Sequence, residues 1–195
     1  MSSNSTRAGD LVEASTVVRL LDELESHGIE VWVDGGWAVD ALLGEQTRPH
    51  NDLDVVIPHT QLERFNEVVA SRRFQVDVSH TAFNWELVDP DGDRIDVHLV
   101  DLTTTRLDRY GIPVYGPGGL EYEVGCFSGD GTIAGRFVRC LNAEILVRYH
   151  TGYELNDSDY HDVFALHDRF GVPLPHPYDP GGDRTDWANR LHGIA

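Results

Sequence analysis

The chain has 195 residues, of which 41% are hydrophobic and 25% charged, so its length and composition predict one compact domain or one domain with a small helical appendage. Fifteen Lys and Arg against 33 Asp and Glu give a net charge of −18. That charge disfavours nucleic acid and anionic membrane as partners and favours a cationic small molecule.

The first half of the chain predicts helices that alternate with strands. Apolar residues recur at helical spacing over residues 11–27, and Gly28 stands where that helix would end. IEVWV is a short strand, and two glycines then precede the helical stretch WAVDALL. The next strand is DLDVVI, stopped by Pro58, and Thr60 with Glu63 has the spacing of a capping box for a third helix.

The second half predicts more strands and then helices. FQVDVS and FNWELV alternate as half-buried strands, and the turn DPDGD leads into the strand RIDVHLV. Residues 102–131 predict loops with short strands, because Gly, Pro and Tyr are frequent there without a clear period. TIAGRFVRC predicts a hairpin that turns at Ala134 and Gly135, followed by the helix NAEILVRYH. A last helix is predicted from Asp157 to Gly171.

These elements define an α/β or α+β fold with helices flanking a mixed sheet. We predict a disordered N-terminus over residues 1–10, a core over 11–140 and a helical C-terminal part over 141–195, which ends in a loop after Pro180. The N-terminus lacks the pattern of a signal peptide, and no apolar run reaches membrane-spanning length. The two cysteines predict buried apolar thiols in a reduced, cytoplasmic protein.

Three aspartates on two predicted strands mark a candidate metal site. Strand side chains alternate between faces, so Asp52 and Asp54 share a face and their carboxylates repel one another. Mg²⁺ suits such a pair, because it takes oxygen ligands from one or two carboxylates and from substrate phosphates. Asp96 shares a face with His98, and it completes an acidic triad if its strand lies beside DLDVVI. A solvated strand face is the alternative, above all for Asp96.

Two glycines add a candidate phosphate site. Gly35 and Gly36 precede a helix whose free N–H groups and positive dipole end suit an anion, and without Cβ they let phosphate oxygens approach the backbone. A plain turn is the other common use of such a pair. Glycines and carboxylates together predict phosphoryl or nucleotidyl transfer.

GGWAVDALLG…TRPHNDLDVVI resembles the nucleotidyltransferase superfamily, in which a pair of small residues opens a helix and Asp-x-Asp follows on the next strand. Over residues 30–175 the chain is similar to the bacterial aminoglycoside and lincosamide nucleotidyltransferases, through DVHLV, IPVYGP, GTIAGRFVRC and YHTGYELNDSDYHDV. The last of these points to the lincosamide branch. The resemblance implies the superfamily's twisted mixed β-sheet flanked by helices.

The resemblance also implies a function. It suggests an adenylyltransferase that moves AMP from ATP to a hydroxyl of an antibiotic, releases pyrophosphate and inactivates the drug. It assigns two Mg²⁺ ions to three carboxylates: Asp52, Asp54 and Asp96. Asp96 would bind metal or act as general base on the acceptor. Four residues would lie near the triphosphate: Gly35, Gly36, Arg48 and His50. The family often has serine where this chain has Gly36, so only backbone contact to phosphate is expected there.

Other residues have structural alternatives. Trp37 either packs in the core, which we favour, or stacks on a ligand, and Asp40 is predicted to anchor a helix or loop. His98 either orients Asp96, which we favour, or serves as a base. Three aromatic residues belong either to an acceptor pocket or to the core: Trp85, Tyr115 and Tyr122. Three acidic residues either attract a cationic drug or form solvated surface: Glu121, Glu123 and Asp130. The ten histidines lack zinc-site spacing.

Two other functions are compatible with these motifs. An antitoxin-like enzyme would adenylylate a protein partner, and a non-catalytic relative would only bind nucleotide or ligand. The three carboxylates disfavour the non-catalytic relative, and the long C-terminal part with its own motifs disfavours the antitoxin. We expect the drug-modifying enzyme to be a monomer or a homodimer.

Overall fold

The computed structural model describes residues 11–178. The predicted disordered N-terminus, residues 1–10, and the predicted loop after Pro180 lie outside the described residues. The chain divides into two compact units after Leu141. Between residues 11 and 178, no helix combines the length and the apolar composition needed to cross a membrane.

Within the described residues the helices and strands follow in a regular order. The α-helices are α1 (Ala14–Ser26), α2 (Gly35–Leu43), α3 (Leu62–Ser71), α4 (Ala143–Tyr149) and α5 (Asp157–Phe170). The strands are β1 (Trp32–Val33), β2 (Leu53–Pro58), β3 (Gln75–Thr81), β4 (Asn84–Val88), β5 (Arg94–Val100), β6 (Thr105–Leu107), β7 (Pro113–Tyr115), β8 (Gly129–Ile133) and β9 (Arg136–Cys140).

Seven strands form one mixed sheet in the order β3-β4-β5-β2-β1-β9-β8, while β6 and β7 form a separate hairpin. β2 runs parallel to β5 and β1 parallel to β9, and the other neighbours are antiparallel. The parallel β2–β5 pair needs a long crossover, which α3, β3 and β4 supply. The predicted α/β fold with a mixed sheet and flanking helices is confirmed.

Helix α2 is almost entirely buried, unlike the amphipathic helices α1 and α3. Its residues from Gly36 to Ala41 are all inaccessible, and Trp37 is 1% exposed. Full burial of one large apolar side chain contributes roughly 1.5–3 kcal/mol. The prediction that Trp37 packs is therefore confirmed, and both cysteines are buried free thiols as predicted.

Several local predictions are confirmed by backbone geometry. The β8–β9 hairpin turns at Ala134 and Gly135, with φ of +50° and +80°, as a primed turn requires. Helix α5 begins after Asn156, which forms a capping box with Asp159, and ends at Gly171 with φ of +70°.

Three predictions are wrong in detail. Gly35 and Gly36 do not precede α2 but form its first two residues, because Asp34 caps the helix. Pro58 belongs to β2, and a 3₁₀ turn over His59–Gln61 then takes up the start of α3, so no side-chain cap forms there. Strand β3 is exposed along its whole length and not half-buried, because it is the edge strand of the sheet.

Candidate active site

The parallel pairing of β2 and β5 brings two of the three predicted metal ligands together. Asp54 is the register partner of Asp96, so both carboxylates project from the same face of neighbouring strands. His98 follows on that face of β5. Ligand atoms of Asp54, Asp96 and His98 all lie within 4.8 Å of one another.

Asp52, the third predicted ligand, lies one residue before β2 and is half-buried. It is not a member of the close group formed by Asp54, Asp96 and His98. Its carboxylate nevertheless interacts electrostatically with Asp54 and Asp96. Burial and then the negative charges of Asp96 and Glu86 raise the pKa of Asp52 above its usual value.

The carboxylates carry more negative charge than the surrounding residues balance. Burial is the largest cause that raises the pKa of Asp54, to about 8, and the charge of Asp52 is the next. A divalent cation would relieve this repulsion, and carboxylate oxygens are the donors that Mg²⁺ prefers. The side chains present therefore fit a hard divalent metal.

Gly35 lies directly against this carboxylate group. A Cβ built on Gly35 would stand 2.7 Å from Cγ of Asp54, and the residue has φ of +58°. Real Cβ atoms do not approach so closely, so only glycine fits at this position without displacing Asp54. The start of α2 and the candidate metal ligands thus form one continuous site.

Gly36 lies against the other two predicted phosphate residues. A Cβ on Gly36 would overlap the Arg48 guanidinium and would stand 2.6 Å from Nδ1 of His50. The structure therefore brings the cationic loop TRPH onto the first turn of α2. The space that a serine side chain would need is filled by these two side chains.

Asp40 fixes this loop, as predicted. Its Oδ1 accepts from the backbone N–H of Thr47 at 2.9 Å and from the Thr47 hydroxyl at 2.6 Å. Its Oδ2 lies 2.5 Å from Nε2 of His50, and both side chains are 3% exposed. The Trp37 ring packs against the His50 ring at a tilt, with centroids 4.4 Å apart. Burial and the hydrogen bond to Asp40, which two Thr47 hydrogen bonds hold in place, thus keep His50 in one orientation.

Asp34, Tyr122 and Asn84 are polar residues near Asp96 that sequence analysis missed or left open. Asn84 Nδ2 donates to Oδ1 of Asp96 at 2.6 Å, and the Tyr122 hydroxyl donates to Oδ2 of Asp34 at 3.0 Å. Asp34 also accepts from the N–H of Gly35 at 2.7 Å. An Asp directly before a helical glycine pair is an N-cap signal, whereas the position of Asn84 depends on the β4–β5 register.

His98 lies among these groups. Its Nε2 is 3.2 Å from Oδ2 of Asp96, and its Nδ1 is 2.7 Å from the Tyr122 hydroxyl. Burial alone would lower the pKa of His98, but its interactions with Asp34, Asp96 and Asp54 raise it to about 10. Burial alone would raise the pKa of Asp34, but its contacts with His98, Gly35 and Tyr122 hold that pKa below its usual value.

The other candidates for an acceptor pocket differ in exposure. Tyr122 is 4% exposed and belongs to the core, while Trp85 and Tyr115 are half-buried. Glu121 is already paired with Arg106. Among the described residues, none of these contacts identifies an acceptor.

Solved structures with this architecture identify the fold. The crystal structure of the lincosamide antibiotic adenylyltransferase LnuA with lincomycin bound has a TM-score of 0.67, at 23% identity, over 80% of this chain and 97% of that chain. The solution structure of the antibiotic-resistance factor ANT(2'')-Ia has a TM-score of 0.63, at 18% identity, over 92% and 95%. At these identities the likeness establishes a nucleotidyltransferase fold.

Sequence comparison then gives the family. A family model described as aminoglycoside-2''-adenylyltransferase matches residues 16–166, so the chain belongs to the aminoglycoside-2''-adenylyltransferase family. A lincosamide resistance protein of Staphylococcus haemolyticus is 27% identical over 149 residues, 75% of this chain and 89% of that protein. A 2''-aminoglycoside nucleotidyltransferase of Escherichia coli is 32% identical over 66 residues, 32% of this chain and 37% of the other.

The predicted resemblance is confirmed, and so is the enzyme class, an antibiotic nucleotidyltransferase. Membership of this class implies a nucleoside triphosphate donor and a divalent metal.

Proposed function

We propose that this protein transfers AMP from ATP to a hydroxyl of a lincosamide or an aminoglycoside, releases pyrophosphate and thereby inactivates the antibiotic. The observation that carries the proposal is the pairing of Asp54 with Asp96 on parallel strands, with Gly35 against the Asp54 carboxylate. Family membership supports the same reaction.

In this proposal Asp52, Asp54 and Asp96 hold two Mg²⁺ ions. Bound metal neutralises the negative charge of the triphosphate and of the transition state. The raised pKa values of Asp52 and Asp54 support this assignment, because both carboxylates gain a counter-charge when a cation binds.

The triphosphate binds at the first turn of α2. Gly35 and Gly36 offer backbone N–H groups without a Cβ, and the positive end of the helix dipole faces the anion. Arg48 and His50 lie over Gly36, where their side chains can contact phosphate oxygens. Asp40 keeps His50 in place.

The transfer step exchanges one P–O bond for another and moves one proton. The acceptor hydroxyl oxygen attacks the α-phosphorus, and its proton passes to the Asp96 carboxylate as general base. A new O–P bond forms, while the bond from the α-phosphorus to the bridging oxygen breaks and its electron pair leaves with pyrophosphate.

A cationic acceptor suits the net charge of −18. The relatives support two drug classes as acceptors. The LnuA structure has lincomycin bound, and other relatives are named 2''-aminoglycoside nucleotidyltransferases. The working form is a monomer or a homodimer.

Mass spectrometry of a panel of lincosamides and aminoglycosides tests this proposal. Each drug is incubated with purified protein, Mg²⁺ and each nucleoside triphosphate in turn. Gain of one AMP unit on a drug with ATP is the expected result. Pyrophosphate release without a modified drug would instead indicate a different metabolite or a protein as the acceptor.

A further inference from the structure

A chain of two hydrogen bonds and one ion pair connects the start of α2 with the proposed general base. The Tyr122 hydroxyl lies 3.0 Å from Oδ2 of Asp34 and 2.7 Å from Nδ1 of His98. On the other side of the imidazole, Nε2 lies 3.2 Å from Oδ2 of Asp96. Tyr122 lies in the middle of this chain and does not belong to the metal or phosphate groups proposed above.

The direction of each hydrogen bond follows from the chemistry of the two ends. An ionised carboxylate can only accept, so Asp34 accepts the Tyr122 proton. The single hydroxyl hydrogen is then used, and the Tyr122 oxygen accepts from Nδ1–H of His98. His98 Nε2 completes the chain as an ion pair with Oδ2 of Asp96. The tyrosine hydroxyl therefore determines how the imidazole is rotated.

Tyr122 is itself held by the core. It is 4% exposed, and its ring packs against Phe127 with centroids 5.3 Å apart. Phe127 packs in turn against Trp32 of β1 at 4.7 Å, and the N–H of Tyr115 donates to the carbonyl of Tyr122 at 2.8 Å. The hydroxyl is thus placed by packing that needs no ligand, which is the arrangement that preorganises a site.

Both oxygens of Asp96 are restrained. Oδ1 accepts from Asn84 at 2.6 Å, and Oδ2 lies against His98. The carboxylate can rotate only if one of these contacts breaks, and the His98 contact depends on Tyr122. A displacement of about 1 Å at a reacting group can cost on the order of a hundredfold in rate.

We propose that Tyr122 is a positioning residue for nucleotidyl transfer. It holds the His98 imidazole so that Nε2 fixes the Asp96 carboxylate. Its hydrogen bond to Asp34, the N-cap of α2, connects Asp96 to the first turn of the helix that is proposed to bind the nucleotide. The inference rests on the proposed function, because Asp96 is the general base only in that reaction.

Tyr122→Phe tests the inference, because it keeps the packed ring and removes the hydroxyl. We expect kcat to fall about 10- to 100-fold, while KM for ATP changes less than about threefold, since the nucleotide contacts lie on α2 and the TRPH loop. Tyr178→Phe is the matched control. Tyr178 is also buried, and its hydroxyl donates to the carbonyl of His150 at 2.5 Å, so this variant loses one hydrogen bond elsewhere and should keep kcat within about twofold.

Nuclear magnetic resonance of the His98 ring nitrogens gives a second readout that needs no turnover. In substrate-free protein we expect the Nδ1–H resonance of His98 to move in Tyr122→Phe and to stay in place in Tyr178→Phe. A folded Tyr122→Phe variant with wild-type kcat would overturn the inference, as would an unmoved resonance. Failure of the wild-type protein to modify any acceptor would overturn the proposed function instead.

Discussion

Two carboxylate–histidine clusters in the chain differ in how completely their charges are balanced. In residues 142–178, His150 has one ring nitrogen 3.7 Å from Asp162 and the other 2.7 Å from a backbone carbonyl of α4. Asp159 accepts from the Tyr153 hydroxyl and from the N–H of Asn156, both at 2.7 Å. Each group here has a partner within the same unit.

The candidate active site lacks this balance. In the described part of the chain no hydrogen bond reaches the Asp54 carboxylate, and its nearest strand neighbour is another acid, Asp96. Burial and the charge of Asp52 raise the pKa of Asp54, whereas Asp162 has His150 as a counter-charge. We infer that charges with partners of their own stabilise the fold, while excess negative charge indicates a ligand site.

The largest expected effect is on turnover. Asp54→Asn should reduce kcat by at least about 10³-fold, because it removes one proposed metal ligand. Steady-state assays with the modified drug measure this loss. A variant that retained more than about a tenth of wild-type kcat would show that Asp54 does not hold the metal.

The same substitution should stabilise the metal-free protein. The pKa of Asp54 is raised in the folded state, so its ionisation destabilises the fold increasingly as pH rises from about 4, the unfolded value, to about 8. Denaturant unfolding in chelator should show Asp54→Asn more stable than wild type by on the order of 1–2 kcal/mol at pH 8, after discounting for solvent screening, and equally stable near pH 4.

Gly35→Ala and Gly171→Ala separate the effect of backbone conformation from the effect of contact with the active site. The variant must place a Cβ against Asp54 at φ of +58°, whereas Gly171→Ala meets a similar φ of +70° with nothing within 4 Å. Both should lose roughly 1–2 kcal/mol of stability from the backbone conformation. Only Gly35→Ala should also lose activity, by about tenfold or more, and equal activity losses would contradict the account.

Mg²⁺ should bind at the Asp54 cluster and not at the His150–Asp162 cluster. Saturating Mg²⁺ should raise the Tm of the wild-type protein by about 2–5 °C through preferential binding to the folded state. The shift should vanish in Asp54→Asn and persist in Asp162→Asn. Differential scanning fluorimetry checks all three proteins, and an equal shift in each would mean that the ion binds elsewhere.

The smallest effect is a loss of stability in the balanced cluster. Burial alone would lower the pKa of His150, but Asp162 and the α4 carbonyl raise it. The His150–Asp162 pair therefore stabilises the folded protein fully below the unfolded-state pKa of histidine, about 6.5. This stabilisation is lost as the pH rises through the higher pKa of His150 in the folded protein. Asp162→Asn should cost about 1–3 kcal/mol at pH 6 and less at alkaline pH, with kcat within about twofold. A pH-independent loss of stability would contradict the pairing.

Short-range patterns in the sequence were enough to predict much of the fold. Strand β5 followed from alternation after a strong turn signal, and the hairpin at Ala134 and Gly135 from its turn residues. The exposed edge position of β3 was not predictable, because its alternating pattern does not reveal the order of strands. The capping box at Thr60 failed because a 3₁₀ turn competed for the same residues.

Some residues of the candidate site were likewise predictable from local patterns, and others were not. Asp54 and Asp96 were found from local motifs, and their contact depended only on one strand pairing. Asp34 carries an N-cap signal before the glycine pair, but the positions of Asn84 and Tyr122 depend on strand register and on a loop without periodicity, so no pattern in one sequence gives those two. The roles of Asp52, Arg48 and the other proposed site residues stay predictions.

The most direct test of nucleotidyl transfer is to follow radiolabelled phosphorus from ATP to lincomycin or an aminoglycoside in the presence of Mg²⁺. The account predicts that label at the α-phosphorus appears on the drug, while label at the γ-phosphorus leaves with pyrophosphate. Label on the drug from the γ-position, or from neither position with any drug tested, would contradict the claim that this site transfers AMP to an antibiotic.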